Sequence, residues 1–310
     1  MKAIAFKDFS EDYDVLEEIE IDRPAVGAGE ILIEQKAVAI DPYDIKYRSG
    51  NFGKDVELPF VGGSPASGVV VEVGEGVTNF KVGDRAVAVP RKGGYAEYVV
   101  AVAEESGHIP DSVSFEEASA LALGGQTGYQ AVLDGLQVKD GEVVLIHGGA
   151  GSVGYTALQE ALALGASKVY TTALPTDVDY LQELDPRVQA IDFTTQKFTD
   201  IVKDADKVLD VIGGGNLMGS IEVTKAGGRV ESTVPLPDGA EEAAKEKGVE
   251  VNRFFMNSNG QYLTDMLEAL VRGDLKVTIG RTEPFNLENL IEGQKVVLAQ
   301  TMRGKFVLTF

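Results

Sequence analysis

The chain has 310 residues, of which 44% are hydrophobic, and this is enough for two domains with buried cores. Its 49 Asp and Glu residues outnumber its 28 Lys and Arg residues, and the net charge of −21 disfavours nucleic acid and anionic membrane surfaces as partners. Because there is no cysteine and the only histidines are His108 and His147, disulfides, thiolate nucleophiles and cysteine-based zinc sites are excluded and a catalytic metal site is disfavoured.

The N-terminal residues MKAIAFKDFSEDYD contain no uninterrupted apolar segment and no small-residue cleavage signal. No stretch of the sequence reaches about 18 apolar residues, the length needed to cross a membrane. We therefore expect a cytoplasmic protein with no membrane span.

The first hundred residues carry short β-branched runs, such as KAIAF, SGVVVEVG and GYAEYVVA, separated by glycine or proline. Runs of this kind are typical of strands, and the glycines between them are typical of turns. This part of the chain is expected to form a compact, mostly β domain.

After residue 110 the pattern changes to strands that alternate with helices. Ser114 and Glu117 have the spacing of a capping box at the start of an Ala/Leu-rich helix. Further helices are predicted at VDYLQEL, AEEAAKEK and GQYLTDMLEALVRGDL, and strands at 143–147, 168–172, 188–192, 207–212, 228–233 and 250–255. This alternation predicts a parallel, doubly wound sheet, and the closing KFVLTF predicts a strand that pairs back with the first domain.

The segment GAGSVG has the G-x-G-x-x-G pattern, directly after the VVLI run and at the start of a helical pattern. In that context the glycines provide a tight turn, a close approach of the backbone to a pyrophosphate, and close helix–strand packing. The pyrophosphate would lie on free amides at the positive end of the helix dipole. The predicted dinucleotide-binding residues are Gly149, Ala150, Gly151, Ser152, Val153 and Gly154.

In a dinucleotide-binding unit, the residues at the end of the second strand lie beside the adenosine ribose and determine the preference for NAD or NADP. An acidic residue about 20 positions after the glycines would bind the ribose 2′-hydroxyl of NAD. The strand instead ends in Thr171-Thr172-Ala173, and the first carboxylate beyond it is Asp177. Since nothing there repels a 2′-phosphate, we expect NADP(H) to be the cofactor, with the hydroxyls of Thr171 and Thr172 and the amine of Lys168 nearby.

Six further segments share a family pattern: AIDPYDIKYRSG, LPFVGGSPASGVVVEVGEGVTNFKVGDRAVAV, GGYAEYV, EEASALALGGQTGYQAV, LDVIGGG and GKFVL. With the glycine corner, they resemble the zinc-independent quinone oxidoreductase (zeta-crystallin-like) branch of the medium-chain dehydrogenase/reductase superfamily. The resemblance implies an α/β protein with a GroES-like β-barrel domain (1–120 with 275–310), a Rossmann domain (121–274), an active site in a cleft and a homodimer. The implied reaction is metal-free transfer of a hydride from NADPH to a small molecule, either a quinone or an α,β-unsaturated carbonyl.

The resemblance also implies roles for single residues. Thr127 would lie near the nicotinamide, and Tyr43 and Asp41 would contact the substrate, with Tyr47 and Phe52 as an aromatic floor. The other cofactor-binding candidates are Ile212, Gly213, Gly214, Phe255 and Lys305. Structural alternatives stay open: Thr127 bonding helix carbonyls, a turn at Asp41, a glycine loop of positive φ, and core packing of the aromatic residues.

Two positions depart from the family pattern, because Asp41 replaces an asparagine and Pro65 replaces an aspartate. The first is expected to change the polarity of the substrate site and the second to change local structure. The departure at Asp41 keeps open a second function, that of a nucleotide-binding protein without turnover, which acts as a sensor or a structural protein.

Overall fold

The computed structural model describes residues 1–90 and 92–310. The strands are β1 (Lys2–Phe6), β2 (Leu16–Glu20), β3 (Glu30–Ala39), β4 (Phe60–Val61), β5 (Ala66–Val73), β6 (Arg85–Ala88), β7 (Tyr98–Val102), β8 (Gly107–His108), β9 (Val143–Ile146), β10 (Lys168–Ala173), β11 (Val188–Asp192), β12 (Ala205–Asp210), β13 (Thr224–Ser232), β14 (Glu250–Arg253), β15 (Ile279–Pro284) and β16 (Lys305–Thr309).

The α-helices are α1 (Pro42–Arg48), α2 (Phe115–Gln130), α3 (Ser152–Ala163), α4 (Val178–Gln182), α5 (Phe198–Ile201), α6 (Asn216–Val223), α7 (Ala240–Lys247), α8 (Gly260–Arg272) and α9 (Leu287–Ala299). The capping box predicted ahead of α2 is confirmed, since the Glu117 amide donates to Ser114 Oγ at 3.1 Å and the Ser114 amide donates to Glu117 Oε2 at 2.8 Å. Within the described residues, no helix is both long and apolar enough to cross a membrane.

The chain divides into two compact units. The first comprises Met1–Gly124 and Ser258–Phe310, and it holds a three-stranded sheet of order β2-β1-β4 and a seven-stranded sheet of order β15-β16-β3-β5-β6-β8, with β7 paired to β3. The C-terminal strand β16 pairs antiparallel with β3, with Val307 opposite Ala39. The prediction that the tail returns to the first domain is therefore confirmed.

The second unit, Gly125–Asn257, is built on a six-stranded sheet of order β11-β10-β9-β12-β13-β14 in which all neighbouring strands are parallel. Numbered in chain order, the strands of this sheet lie in the order 3-2-1-4-5-6, which is the Rossmann arrangement. The strand order reverses between the neighbouring strands β9 and β12, although all the strands remain parallel. Val144 and Ile146 of β9 pack into a core with α3, and Leu145 packs into a second core with α6 and α7. Because successive strand residues face opposite sides, these two cores confirm helices on both faces of the sheet.

The second boundary between the units differs from the predicted one. We expected the dinucleotide-binding domain to extend to residue 274, but the second unit ends at Asn257 and α8 belongs to the first. The first turn of α8 lies against the segment before β8, where a Cβ added at Gly260 would be 2.2 Å from Ser106 O and one added at Gly107 would be 2.6 Å from Leu263 Cβ. The helical pattern of GQYLTDMLEALVRGDL gave no indication of which unit the apolar face of α8 would pack against.

Candidate active site

The glycine corner links β9 to α3 in the second unit. The turn itself is made by Gly148, whose φ of +70° is in the left-handed region. Gly151 is the N-cap residue of α3 and has an extended backbone, with φ −77° and ψ 160°. The tight turn that we predicted within GAGSVG therefore lies one residue earlier, at a glycine outside the motif.

The three glycines of the motif have different surroundings. A Cβ at Gly154 would lie 2.3 Å from the carbonyl oxygen of Gly148, so this glycine permits the helix to approach the strand end. A Cβ at Gly149 would lie 2.1 Å from Thr171 Oγ1. At Gly151 the nearest heavy atom to an added Cβ is Gly148 O at 3.4 Å, an ordinary contact. The folded chain thus requires glycine at 149 and 154, whereas neither the φ angle nor the packing requires it at 151.

The first turn of α3 presents amide N–H groups at this corner. Its first intrahelical bond runs from the Tyr155 amide to Gly151 O at 2.8 Å. The amides of Ser152, Val153 and Gly154 precede that bond, so they have no intrahelical acceptor. Together with the positive end of the helix dipole, they form an arrangement that binds an anionic group such as a pyrophosphate.

Thr171 and Thr172 were predicted to lie beside the adenosine ribose, but the structure gives both hydroxyls internal partners. Thr171 is fully buried and donates to Ile146 O at 2.7 Å. Thr172 Oγ1 accepts from the Gly148 amide at 3.1 Å. Lys168 starts β10 opposite Val143, so it lies at the amino edge of the sheet, away from the glycine corner. The expectation that Lys168 lies near the ribose is therefore wrong.

The loop after β12 contains the candidates Ile212, Gly213 and Gly214. Asp210 ends the strand, and its Oδ1 accepts from the amides of Ile212 and Gly213, both at 2.9 Å. Gly213 and Gly214 have φ of +77° and +65°, which agrees with the alternative that this is a glycine loop of positive φ. Ile212 is 54% exposed, so this turn presents an apolar side chain at the carboxyl edge of the sheet.

His147 lies beneath both the corner and the loop. Its Nδ1 is 3.2 Å from Thr172 Oγ1 and its Nε2 is 2.9 Å from Ser220 Oγ. Burial lowers the pKa of His147 to about 4, although Asp210 opposes this shift, so the imidazole is uncharged at neutral pH.

Thr127 lies near the end of α2, half-buried, beside a close contact between helices. A Cβ at the neighbouring Gly128 would be 2.1 Å from Val153 O, so α2 packs directly on the first turn of α3. Phe255 is 62% exposed, and the alternative of core packing is wrong for it. The segment after Phe255 is fixed by Gln130, whose amide nitrogen donates to Asn257 O at 2.6 Å.

In the first unit, Asp41 and Lys305 form a buried ion pair. Asp41 is the N-cap residue of α1 and is 3% exposed, and Lys305 is 6% exposed. The structure thus brings together two candidates that we had assigned separately, one to the substrate and one to the cofactor. Asp41 Oδ2 is buried and has no hydrogen-bond partner.

A second buried carboxyl lies one helical turn further on. Asp44 Oδ2 accepts from Tyr95 Oη at 2.9 Å and from the Asp41 amide at 3.3 Å. Burial raises the pKa of Asp44 to about 7, and the carboxylate of Asp41 adds to the rise. Asp44 therefore exchanges a proton near neutral pH.

Aromatic side chains surround these residues in the first unit. The ring of Tyr43 is 4.9 Å from that of Phe52 and 5.9 Å from that of Tyr47. Tyr47 also stacks on Phe60 at 5.2 Å. Half of the Phe52 side chain is exposed, which leaves one side of this aromatic cluster accessible to a planar ligand.

The histidine and carboxylate side chains of the described residues are not grouped as metal ligands. Over residues 1–90 and 92–310, no group of three or more His, Asp or Glu side chains has the geometry to hold a metal ion. Both nitrogens of His147 are engaged, and Nε2 of His108 is 2.9 Å from Asn79 O.

Sequence reasoning missed several of these residues. Gly148 was hidden by its position outside the glycine motif, and Asp210 by its place inside a predicted strand. Asp44 and Tyr95 were not among the predicted site residues. The last residue of a buried strand, followed by glycines, is the pattern that identifies Asp210 as a loop anchor.

These features define a class of protein: a Rossmann unit whose glycine corner leads into a helix with free N-terminal amides, joined in one chain to a mostly β unit. Residues 27–111 match the family described as "Alcohol dehydrogenase GroES-like domain", and residues 188–308 match the family described as "Zinc-binding dehydrogenase". The chain belongs to the medium-chain dehydrogenase/reductase superfamily, and it is an oxidoreductase of that superfamily.

Three proteins illustrate the relationship. The 2-methylene-furan-3-one reductase of Solanum lycopersicum is 32% identical over 320 residues, which cover 99% of this chain and 79% of the relative. The structure of the quinone oxidoreductase from Coxiella burnetii is 30% identical and has a TM-score of 0.90, covering 100% of this chain and 99% of that one. The mycobacterial protein Rv1454c complexed with NADPH is 27% identical and has a TM-score of 0.89, with 100% of both chains covered.

Proposed function

We propose that the protein transfers a hydride from NADPH to a quinone or an α,β-unsaturated carbonyl, without a metal ion. The observation that carries the proposal is Gly151. Its φ angle suits any residue and its surroundings have room for a Cβ, so neither backbone strain nor packing accounts for a glycine there, and the N-cap position favours glycine over alanine only modestly. A ligand that approaches the backbone closely does account for it, and the free amides of Ser152, Val153 and Gly154 make that ligand an anion.

Exposed apolar side chains at the carboxyl edge of the Rossmann sheet support the same proposal. Phe193 follows β11, Ile212 follows β12 and Phe255 follows β14, and they are 56%, 54% and 62% exposed. In open α/β sheets the ligand binds at this edge, where the strand order reverses. We propose that Phe193, on the β10–β11 side, packs against the adenine, and that Ile212 packs against the nicotinamide.

The preference for NADPH rests on the residues after β10. The strand ends at Ala173 without a carboxylate, and a 3₁₀ turn over Pro175–Asp177 comes next. Because Thr171 and Thr172 bond within the sheet, we propose that the 2′-phosphate is admitted by the missing carboxylate at the end of β10 rather than bound by the two hydroxyls. The mycobacterial relative complexed with NADPH is consistent with this choice.

Further side chains have proposed roles in the reaction. When bound, the nicotinamide supplies the hydride. Thr127 contacts it and donates a hydrogen bond to the oxygen that gains charge. The aromatic cluster around Tyr43 binds a planar acceptor. Asp41 sets the polarity of its site by holding the ammonium of Lys305 beside α1.

The test is to titrate the protein with NADPH and NADH by fluorescence, and then to follow the absorbance of the bound cofactor after adding a 1,4-quinone or an enone. We expect tighter binding of NADPH and oxidation on addition of an acceptor, with activity retained in a chelator. Thr127→Ala is expected to lower kcat by about 10²-fold, and Thr127→Ser to restore most of it, as for loss of a hydrogen-bond donor to a developing oxyanion. Binding without oxidation by any acceptor would favour the nucleotide-binding protein without turnover.

A further inference from the structure

A continuous chain of hydrogen bonds passes through His147 in the second unit. At one end, the amide of Gly148 donates to Thr172 Oγ1 at 3.1 Å, and Thr172 Oγ1 lies 3.2 Å from His147 Nδ1. At the other end, His147 Nε2 lies 2.9 Å from Ser220 Oγ, which donates to Asn216 O at 2.9 Å. The chain therefore connects the turn residue of the glycine corner to the first residue of α6, directly after the Gly213–Gly215 loop.

The direction of each hydrogen bond follows from the number of protons available. Ser220 has one hydroxyl proton and gives it to Asn216 O, so its oxygen must accept from His147 Nε2–H. Nδ1 is then an acceptor in the uncharged ring, and Thr172 donates to it while accepting from the Gly148 amide. All of the groups are satisfied by one tautomer of an uncharged imidazole.

The surroundings of the ring favour that uncharged state. His147 is fully buried, and β10 and α6 present the hydroxyls of Thr172 and Ser220 to it. From α5 the ring of Phe198 packs edge-on at 4.7 Å. Among the described residues, Asp210 at the end of β12 is the titratable group whose charge acts on the ring, and burial outweighs it. A proton on Nδ1 would place two N–H donors against Thr172 Oγ1 and turn its hydroxyl away.

We propose that His147 is a positioning residue for the dinucleotide: its uncharged ring holds the glycine corner and the Ile212–Gly215 loop in register, so that one binds the pyrophosphate while the other contacts the nicotinamide. This inference rests on the proposed function, because it assumes that both segments contact one cofactor. If the inference is correct, removing the hydrogen bonds of the His147 ring weakens cofactor binding in addition to any loss of stability.

The central test compares NADPH dissociation constants of His147→Phe, Ser220→Ala and the double variant with that of wild type, at a temperature where circular dichroism shows each to be folded. His147→Phe keeps an aromatic ring at this position and removes both hydrogen bonds, and we expect the Kd for NADPH to rise tenfold or more. If His147 and Ser220 act through one chain of hydrogen bonds, the double variant will bind NADPH no more weakly than the weaker-binding single variant. A lowered melting temperature with an unchanged Kd would overturn the proposal.

His108→Phe is the matched control, because it makes the same replacement at the only other histidine, a ring stacked 4.1 Å from Phe80 in the first unit. It is expected to leave the Kd for NADPH unchanged. It also leaves a single histidine, so ¹⁵N NMR of labelled imidazole reports His147 alone. We expect the Nε2–H tautomer at pH 6.5, and a charged ring or a proton on Nδ1 would contradict the assignment.

Wild-type binding separates the two claims. If the wild type binds neither NADPH nor NADH, the proposed function fails, and this inference fails with it. If the wild type binds NADPH and His147→Phe binds it equally well, only the role of His147 is refuted. His147→Gln keeps a hydrogen-bond donor toward Ser220, so it is expected to bind NADPH more tightly than His147→Phe does. If the folded His147→Gln variant shows no such recovery, the role of the hydrogen-bond chain is refuted.

Discussion

Replacing Gly151 with alanine is expected to weaken NADPH binding without destabilising the protein, whereas the same replacement at Gly154 is expected to lower stability. At Gly151 the nearest atom to the new methyl group is 3.4 Å away, so there is no clash. Losing glycine at an N-cap costs roughly 0.5–1 kcal/mol, and alanine stabilises by a similar amount because it lowers the conformational entropy of the unfolded chain, so the two effects oppose each other. The net change in the free energy of unfolding should stay within about 0.5 kcal/mol.

At Gly154 the methyl group would lie 2.3 Å from a backbone oxygen of Gly148, which cannot rotate away. Overpacking of this kind costs roughly 1–3 kcal/mol, and the better helix propensity of alanine returns about 1 kcal/mol. The melting temperature should fall by roughly 2–4 °C per kcal/mol lost. In Gly151→Ala, by contrast, the methyl group would separate the amides from the pyrophosphate, and losing one charge-assisted hydrogen bond of about 1.5–3 kcal/mol raises the Kd by roughly 10- to 100-fold.

The assay pairs thermal unfolding of the cofactor-free variants with fluorescence titration by NADPH. We expect opposite rankings in the two measurements for this matched pair. If Gly151→Ala binds NADPH as tightly as wild type, a close approach of the pyrophosphate is not the reason for this glycine. If Gly154→Ala is as stable as wild type, close packing does not require glycine at this position of the corner.

Two further predictions concern the buried charges of the first unit. Because the folded-state pKa of Asp44 is raised to about 7 from 3.8, its contribution to stability is fully present below pH 4 and is lost as the pH rises toward 7. Asp44→Asn should therefore be more stable than wild type at pH 8 but not near pH 4, as measured by urea unfolding, and an equal difference at both pH values would contradict the assigned pKa. Asp41→Asn leaves Lys305 buried without its ion-pair partner and should cost about 3–5 kcal/mol, and the double variant Asp41→Asn with Lys305→Met should recover most of this loss. If the single variant is as stable as wild type, the ion pair is not coupled to folding.

Regular periodicity made much of the second unit predictable from the sequence. The helix predicted at AEEAAKEK is α7 at Ala240–Lys247, and the strand predicted at 188–192 is β11. Strand ends were less accurate, since the strand predicted at 207–212 is β12 at Ala205–Asp210. Its carboxyl end is set by Asp210, whose side chain turns the chain by bonding the next amides, and such a local hydrogen bond leaves no periodic signal.

The site was harder to predict because its geometry depends on which way side chains point. Thr171 and Thr172 occupy the right place in the sequence for the ribose, but adjacent strand residues face opposite sides, and here both sides are covered. His147 was not among the predicted site residues, because its hydrogen-bond partners Thr172 and Ser220 lie 25 and 73 positions away in the sequence. The pairing of Asp41 with Lys305 spans 264 positions and likewise has no local signature.

The central claim is that a cofactor bound at the glycine corner gives its hydride to an electron-poor carbon. The most direct measurement is a single turnover with NADPH deuterated at the reactive face of C4, an α,β-unsaturated ketone as acceptor, and mass spectrometry of the product. We expect one deuterium on the β-carbon, with the label lost in Gly151→Val because the cofactor no longer binds. Tight binding of NADPH with unlabelled, unreduced ketone and unreduced quinone would contradict the claim and identify the protein as one that binds the nucleotide without turnover.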